Sequence, residues 1–194
     1  MVKLFTIFCF AILFVSCKDQ KKSEKKEIKN EQKVNQKLDS TKKKVLSPHA
    51  TAMAMVGEAH IHIDYSSPGV RNRIIFGGLL AYDMVWQAGA HNATWIETNK
   101  DLIIQGKTVV AGKYGFFIIP SKDEWTLIFN TNWDQHGKDE YDAKEDVVRF
   151  KVKPIISENI TEHLVYKVKK VNSGEGSISL AWEKVFLDFN FSIK

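Results

Sequence analysis

The sequence predicts an all-β fold: one antiparallel β-sandwich or barrel-like domain of about eight to nine strands with little helix, over residues 47–194. Three observations predict it. Polar and apolar residues alternate along His60-Ile61-His62-Ile63-Asp64-Tyr65, the period-2 signature of a half-buried strand. Short β-branched and aromatic runs then recur to the end of the chain, separated by Gly, Pro, Asn and Ser turn signals. The segment, about 148 residues, is a common single-domain size with enough chain for a real core.

Taken in order, Thr94 to Thr98 and Asp101 to Ile104 flank Asn99-Lys100 and read as a hairpin. Tyr114 to Ile119 ends at Pro120, and Glu124 to Phe129 follows after a Ser-Lys-Asp turn. Val147 to Val152, His163 to Val171, Ser177 to Trp182 and Val185 to Ile193 complete the series. The best helix candidate is Ile75 to Trp86, which Gly77 and Gly78 weaken, and Asp139 to Glu145 is long enough for one turn. Between the first strand and that region, Pro68 fixes φ and Gly69 permits positive φ, so a tight turn is expected there.

The first 44 residues have a different composition. Lys3 is a short positive region, and Leu4 to Val15 is an apolar run interrupted only by Thr6. Its length suits a signal-peptide core and falls short of the roughly 20 helical residues a bilayer requires. The run ends in Phe14-Val15-Ser16-Cys17, which resembles the lipobox cut by the lipoprotein signal peptidase. That resemblance implies a signal peptide over residues 1–16 and acyl chains on Cys17, hence a membrane partner and a place in the cell envelope, inner or outer membrane. Cys9 leaves with the signal, so Cys17 is the only mature thiol, with no disulfide or thiolate metal site to come from it.

Residues 17–46 then read as a lipidated start and a charged tether. Residues 18–44 hold eleven lysines against five acids, a net +6. Removing that +6 and Lys3 from the whole-chain +5 leaves −2 for residues 45–194. The basic character belongs to the tether, and nucleic acid is excluded as a partner of the domain. As a flexible coil the tether reaches on the order of 30 Å.

Tyr65-Ser66-Ser67-Pro68-Gly69-Val70-Arg71, Arg73, Ile75-Phe76-Gly77 and Val85-Trp86 begin a further set of motifs. Gly89-Ala90 with Ala93-Thr94, Ala111-Gly112-Lys113-Tyr114-Gly115 and Trp125 to Asn130 extend it, and Trp133-Asp134-Gln135 and Trp182-Glu183-Lys184 close it. Over nearly all of residues 47–194 this ordered set resembles domain-of-unknown-function family 2911, frequent among bacterial secreted and lipoprotein chains. The resemblance implies an envelope β-domain with no established activity. Gln87, His91 and His136 depart from the family's usual arginine, asparagine and aromatic residue at those places.

Three groups of residues could carry chemistry. Arg71 and Arg73 would share one side of an extended chain and could clamp a carboxylate or phosphate, unless they pair with Asp64 or Glu97. His60 and His62 face the same way on a strand, a spacing that holds zinc or copper once His91, His136 or Asp64 supplies a third ligand. Trp86 and Trp133, near loops, could line a ligand groove with Tyr65, whereas Trp95, Trp125 and Trp182 fall within strands and suit a core. Asp134, Glu140, Asp142 and Glu145 do not have the spacing of a calcium loop.

No nucleophile elbow, zinc-helix motif, phosphate loop or dinucleotide fingerprint is present in the sequence, so no cofactor is expected. The expectation is a non-catalytic binding or structural module. Its partner is a glycan, a cell-wall fragment or an envelope protein, met through Tyr65, Arg71, Arg73, Trp86, His91 and Trp133. The alternative is a metal-dependent, hydrolase-type enzyme using His60, His62, His91 or His136.

Overall fold

The computed structural model describes residues 45–194, so the signal segment expected over residues 1–16, Cys17, and all but the last two residues of the tether expected to run to residue 46 lie outside the described residues. The architecture is all-β: ten strands in two antiparallel sheets, packed as a sandwich. The strands are β1 (His49–Val56), β2 (Ala59–Ser66), β3 (Trp95–Thr98), β4 (Leu102–Ile104) and β5 (Lys107–Val109), then β6 (Gly112–Ile119), β7 (Trp125–Asn130), β8 (Asp146–Val152), β9 (Ile155–Lys170) and β10 (Glu175–Ile193). Six form one sheet in the order β1-β2-β3-β6-β7-β8, and four form the other in the order β5-β4-β10-β9.

Alternation decides which side chains meet between the sheets. Ile61, Ile63, Ile96, Phe116, Leu127, Phe129 and Phe150 point inward from the larger sheet, and Leu102, Ile104, Leu180, Leu187, Phe189 and Phe191 from the smaller. Each such side chain contributes about 1.5–3 kcal/mol when fully buried. Aromatic rings dominate this core: Phe189 lies 4.9 Å from Phe150 and 6.1 Å from Phe116, centroid to centroid.

Three strand expectations change. The hairpin across Asn99-Lys100 is not formed: β3 pairs with β2 and β6, whereas β4 pairs with β5 and β10, so this link crosses between sheets. Side-chain bonds turn the corner, since Thr98 Oγ1 donates to the Lys100 carbonyl at 2.7 Å and Asn99 Oδ1 accepts from the His60 amide at 2.7 Å. Ser177 to Trp182 and Val185 to Ile193 are one strand, β10, kinked by register shifts around Glu183, which has φ +55. Finally, β1 and β5 add strands through two-residue turns at Gly57-Glu58 and Gln105-Gly106, with positive φ at Gly57, Gln105 and Gly106.

The helix expected over Ile75 to Trp86 is instead a chain of turns. Gly77 adopts φ +82 and Asp83 φ +62, both outside helix geometry. Its apolar residues nevertheless reach the core, where Phe76 lies 4.6 Å from Trp125 and Trp86 stacks on Trp182 at 5.6 Å. The turn expected near Asp139 to Glu145 is a short 3-10 turn over Ala143–Glu145, capped by Asp142.

The Pro68-Gly69 turn also moves. Gly69 keeps an ordinary negative-side backbone and is small for another reason: a side chain there would meet Glu162 and His163 of β9 at 3.2 and 3.3 Å. The segment is bound to β9 through Val70 N to the Glu162 carbonyl (2.7 Å), Leu164 N to the Pro68 carbonyl (3.0 Å) and Ser67 Oγ to the Leu164 carbonyl (2.7 Å). The reversal comes two residues later, at Arg71 and Asn72 with φ +50 and +56, closed by Arg73 N to the Val70 carbonyl at 3.1 Å.

Candidate functional site

The outer face of the six-stranded sheet is half covered. Phe117 of β6 and Ile128 of β7 point outward there, and Ala93, Val85, Ile119 and Tyr141 cover them as a second, small core. The Tyr141 hydroxyl bonds both carboxylate oxygens of Asp146, at 3.1 and 2.9 Å, and accepts from Arg149 at 2.8 Å. Burial first, then the Asp146 carboxylate, pushes the Tyr141 phenol up to about 12 against the opposing pull of Arg149.

The other half, over β1, β2, β3 and the start of β6, is open. Alternation places Met53 and Met55, His60 and His62, Trp95 and Glu97, and Lys113 on this side. The Lys113 ammonium lies 3.6 Å from the centroid of Trp95 and 4.0 Å from that of Trp133. The two indoles meet edge to face at 6.4 Å, and the His62 ring packs edge-on against Trp95 at 4.9 Å. Cation–π contacts of this kind contribute about 0.5–1 kcal/mol each when exposed. The result is a rigid, partly exposed aromatic platform with a positive charge at its centre.

Local chemistry positions Trp133. Asn130, fully buried, accepts from the Asn132 amide at 2.8 Å and donates to the Asp142 carbonyl and Asp146 carboxylate at 2.9 and 2.8 Å. Gln135 donates to the Asn132 carbonyl at 2.8 Å and accepts from the Glu140 amide at 3.0 Å. Gly115 lets this loop lie directly on the sheet, because a side chain there would come within 2.9 Å of the Asn132 carbonyl and 3.2 Å of the Trp133 Cα.

The residues singled out from sequence are not gathered in one groove. Trp86 is buried, its indole donating to the Gly89 carbonyl at 2.9 Å. Tyr65 is buried, its ring edge-on to Tyr166 at 4.8 Å and its hydroxyl accepting from the Tyr166 amide at 3.3 Å. Arg73 folds back to donate to the Gly69 and Val70 carbonyls at 2.7 and 3.0 Å, so it forms no clamp with Arg71. Arg71 is exposed, with only its amide held by Glu162 at 2.9 Å. Neither arginine pairs with Asp64, which bonds His49 at 2.6 Å.

Tyr65 and His91 border a common pocket. His49, Asp64, Ser66 and Asn92 also line it, and its volume is small, about 140 Å³. His91 sits there with φ +60, and its carbonyl accepts from the Gly137 amide at 2.7 Å. His60 and His62 lie side by side, ring centroids 6.1 Å apart. Neither His91 nor His136 joins them as a third ligand: among the described residues no three His, Cys, Asp or Glu side chains gather as a metal group. His136 pairs instead with Asp139 at 3.2 Å.

Sequence reasoning passed over Trp95 and Lys113 as site residues, and Met53 and Met55 entirely. The signal for the methionines was there, since Met53-Ala54-Met55 alternates just before the Gly57-Glu58 turn and so faces the same way as His60 and His62. Trp95 read as core because it lies in a strand, but it occupies the outward parity of β3.

No curated protein and no solved structure matches the chain. A family model described as "Protein of unknown function (DUF2911)" matches residues 47–191, and the chain belongs to that family.

Proposed function

We propose that the chain is a non-catalytic binding module of the cell envelope, tethered to a membrane through lipid on Cys17, and that its open sheet face takes a glycan or cell-wall fragment. One observation carries this reading: Trp95 and Trp133 stand partly exposed, edge to face at an interplanar angle of 70°, with the Lys113 ammonium against both rings. Indole faces stack on the apolar faces of sugar rings, and an ammonium donates to hydroxyls or pairs with an acidic substituent. Glu97, opposite Lys113 and His62 in the ladder, adds a carboxylate acceptor for hydroxyl donors. Platform and small core share one sheet face, so ligand contact demands little rearrangement.

Two measurements test this. The full chain and its Trp133→Ala variant are screened by thermal shift against soluble oligosaccharides and peptidoglycan fragments. A one-site ligand at about 100 times its Kd stabilises by about 2.7 kcal/mol, a shift of several degrees. A saccharide-dependent shift lost in Trp133→Ala supports the reading, and silence across the panel overturns the glycan assignment. For the anchor, cells supplied with labelled palmitate should label the chain, and Cys17→Ser should abolish that label. An unlabelled wild-type chain, or label that persists in Cys17→Ser, would overturn lipid tethering.

A further inference from the structure

Met53 and Met55 stand directly opposite His62 and His60, respectively, across the β1–β2 ladder. All four occupy the outward parity, because Ala50 and Ala52 of β1 and Ile61 and Ile63 of β2 pack on the core side. Opposed residues of an antiparallel pair have Cβ atoms about 4.5–5.5 Å apart, and diagonal ones about 7–8 Å. Two thioethers and two imidazoles thus form a two-by-two patch, and the unbranched methionine side chains can swing their sulfurs toward a common point.

Three further features set the patch apart from an ordinary strand surface. Met53 and Met55 are 55% and 53% exposed on an edge strand, a place usually given to charged residues. His62 Nε2 is shielded from solvent and has no hydrogen-bond partner, so this nitrogen is uncommitted. Of the adjoining carboxylates, Asp64 bonds His49 at 2.6 Å, while Glu97 lies opposite both His62 and Lys113 in the ladder and does not gather with the histidines as a group of three. The thioethers and imidazoles of the patch are a soft donor set.

We propose that Met53, Met55 and His62, with His60 completing the set, form a binding site for a soft monovalent metal ion, copper(I). Thioether sulfur with imidazole nitrogen favours Cu(I), whereas carboxylate and carbonyl oxygen favour Mg, Ca and Mn. Zinc sites draw three or four ligands from Cys, His and carboxylates, and among the described residues no such group of three exists. The ion enters as Cu(I) and leaves as Cu(I), with no redox step. The site shares no ligand with the indole–ammonium platform, since neither Trp133 nor Lys113 is a ligand, although His62 packs edge-on against Trp95 at 4.9 Å.

The test uses the full chain with Cys9→Ser and Cys17→Ser, so that no thiol competes for the metal. Cu(I) is titrated anaerobically against a chromophoric Cu(I) chelator, and Ag(I), which is redox-silent, is followed by NMR of methionine methyl groups. One equivalent should bind, with the Met53 and Met55 methyl signals shifting together. Met53→Leu, Met55→Leu and His62→Ala should each weaken Cu(I) by at least about tenfold, since even outer-shell changes cost 10–100-fold. Leucine conserves volume, so an unchanged melting temperature without metal shows that these variants still fold. Zn(II) in excess should not displace Cu(I). Affinity unaltered by the two leucine variants, no stoichiometric binding, or preferential Zn(II) binding that depends on the histidines alone would each overturn the assignment.

Discussion

The Tyr166 hydroxyl donates to the Ala88 carbonyl at 2.8 Å, joining β9 of one sheet to the loop that leads into β3 of the other. Ala88 is fully buried with φ +53, and the same carbonyl accepts from Thr94 Oγ1 at 3.0 Å. A non-glycine residue in the left-handed region costs about 1–2 kcal/mol, which these two bonds help to offset. Tyr166→Phe removes one donor and leaves the carbonyl its other. It should therefore cost about 1 kcal/mol, seen as a lower urea midpoint with an unchanged slope. An unaltered midpoint would mean that the hydroxyl does not hold the loop.

Trp86 and Trp182 stack at 5.6 Å in the same core, but their indole N–H groups differ. Trp86 donates to the Gly89 carbonyl at 2.9 Å, whereas Trp182 Nε1 is buried without a hydrogen-bond partner. Phenylalanine at either position removes a similar volume. At 182 it also removes an unsatisfied donor, while at 86 it breaks a bond and orphans the acceptor. Trp86→Phe should cost more than Trp182→Phe by about 1 kcal/mol or more, measured by urea unfolding. Equal costs would show that the Trp182 N–H carries no penalty.

What the sequence made legible follows from periodicity. His60 to Tyr65 alternates because one face of β2 is buried, so its strand and parity could be read directly. The link at Asn99-Lys100 could not, because a turn within one sheet and a corner between two use the same residue types. Only the later partners, Gly112 to Gly115 for β3 and Ser192 and Ile193 for β4, distinguish them. Site residues suffered for a related reason. Trp86 lies near a loop in sequence, and only long-range packing onto Trp182 buries it, whereas Tyr65 shares the inward parity of Ile61 and Ile63 on β2 and packs on Tyr166. Trp95 and Lys113 become a pair with Trp133 only when β3, β6 and the loop over Gly115 are brought together.

The Val70–Arg73 turn gives a prediction that separates stability from binding. Arg71 and Asn72 both have positive φ, the demand of a type I′ turn, which Asn-Gly meets best. The Arg71 amide is held by Glu162 through the backbone, so its side chain is free to change. Arg71→Asn with Asn72→Gly should raise stability by roughly 0.5–1 kcal/mol, read as a higher melting temperature. Any saccharide affinity should be unchanged, because the arginine does not border the Trp95–Trp133 platform. A loss of affinity in this more stable variant would return Arg71 to the site.

The outer small core makes a prediction about alkaline pH. The Tyr141 phenol is pushed up to about 12 by its burial and by its bonds to Asp146, above the ordinary value of 10.0 that it recovers on unfolding. Below pH 10 the phenol is protonated in both states, and its stabilising bonds are fully present. Between 10 and about 12 the unfolded chain releases this proton while the folded chain retains it, so rising pH favours unfolding. Above that range the native phenol ionises beside Asp146, and the contribution is gone. Burial raises Tyr166 and Tyr114 as well, so the decline in the wild-type chain is a sum. Tyr141→Phe should start from a lower melting temperature at neutral pH, having lost the hydroxyl's bonds to Asp146 and Arg149, which stay paired directly with each other. It should then fall less steeply than wild type above pH 10, so that the two curves converge. Parallel curves would show that the Tyr141 hydroxyl is not the group titrating against folding.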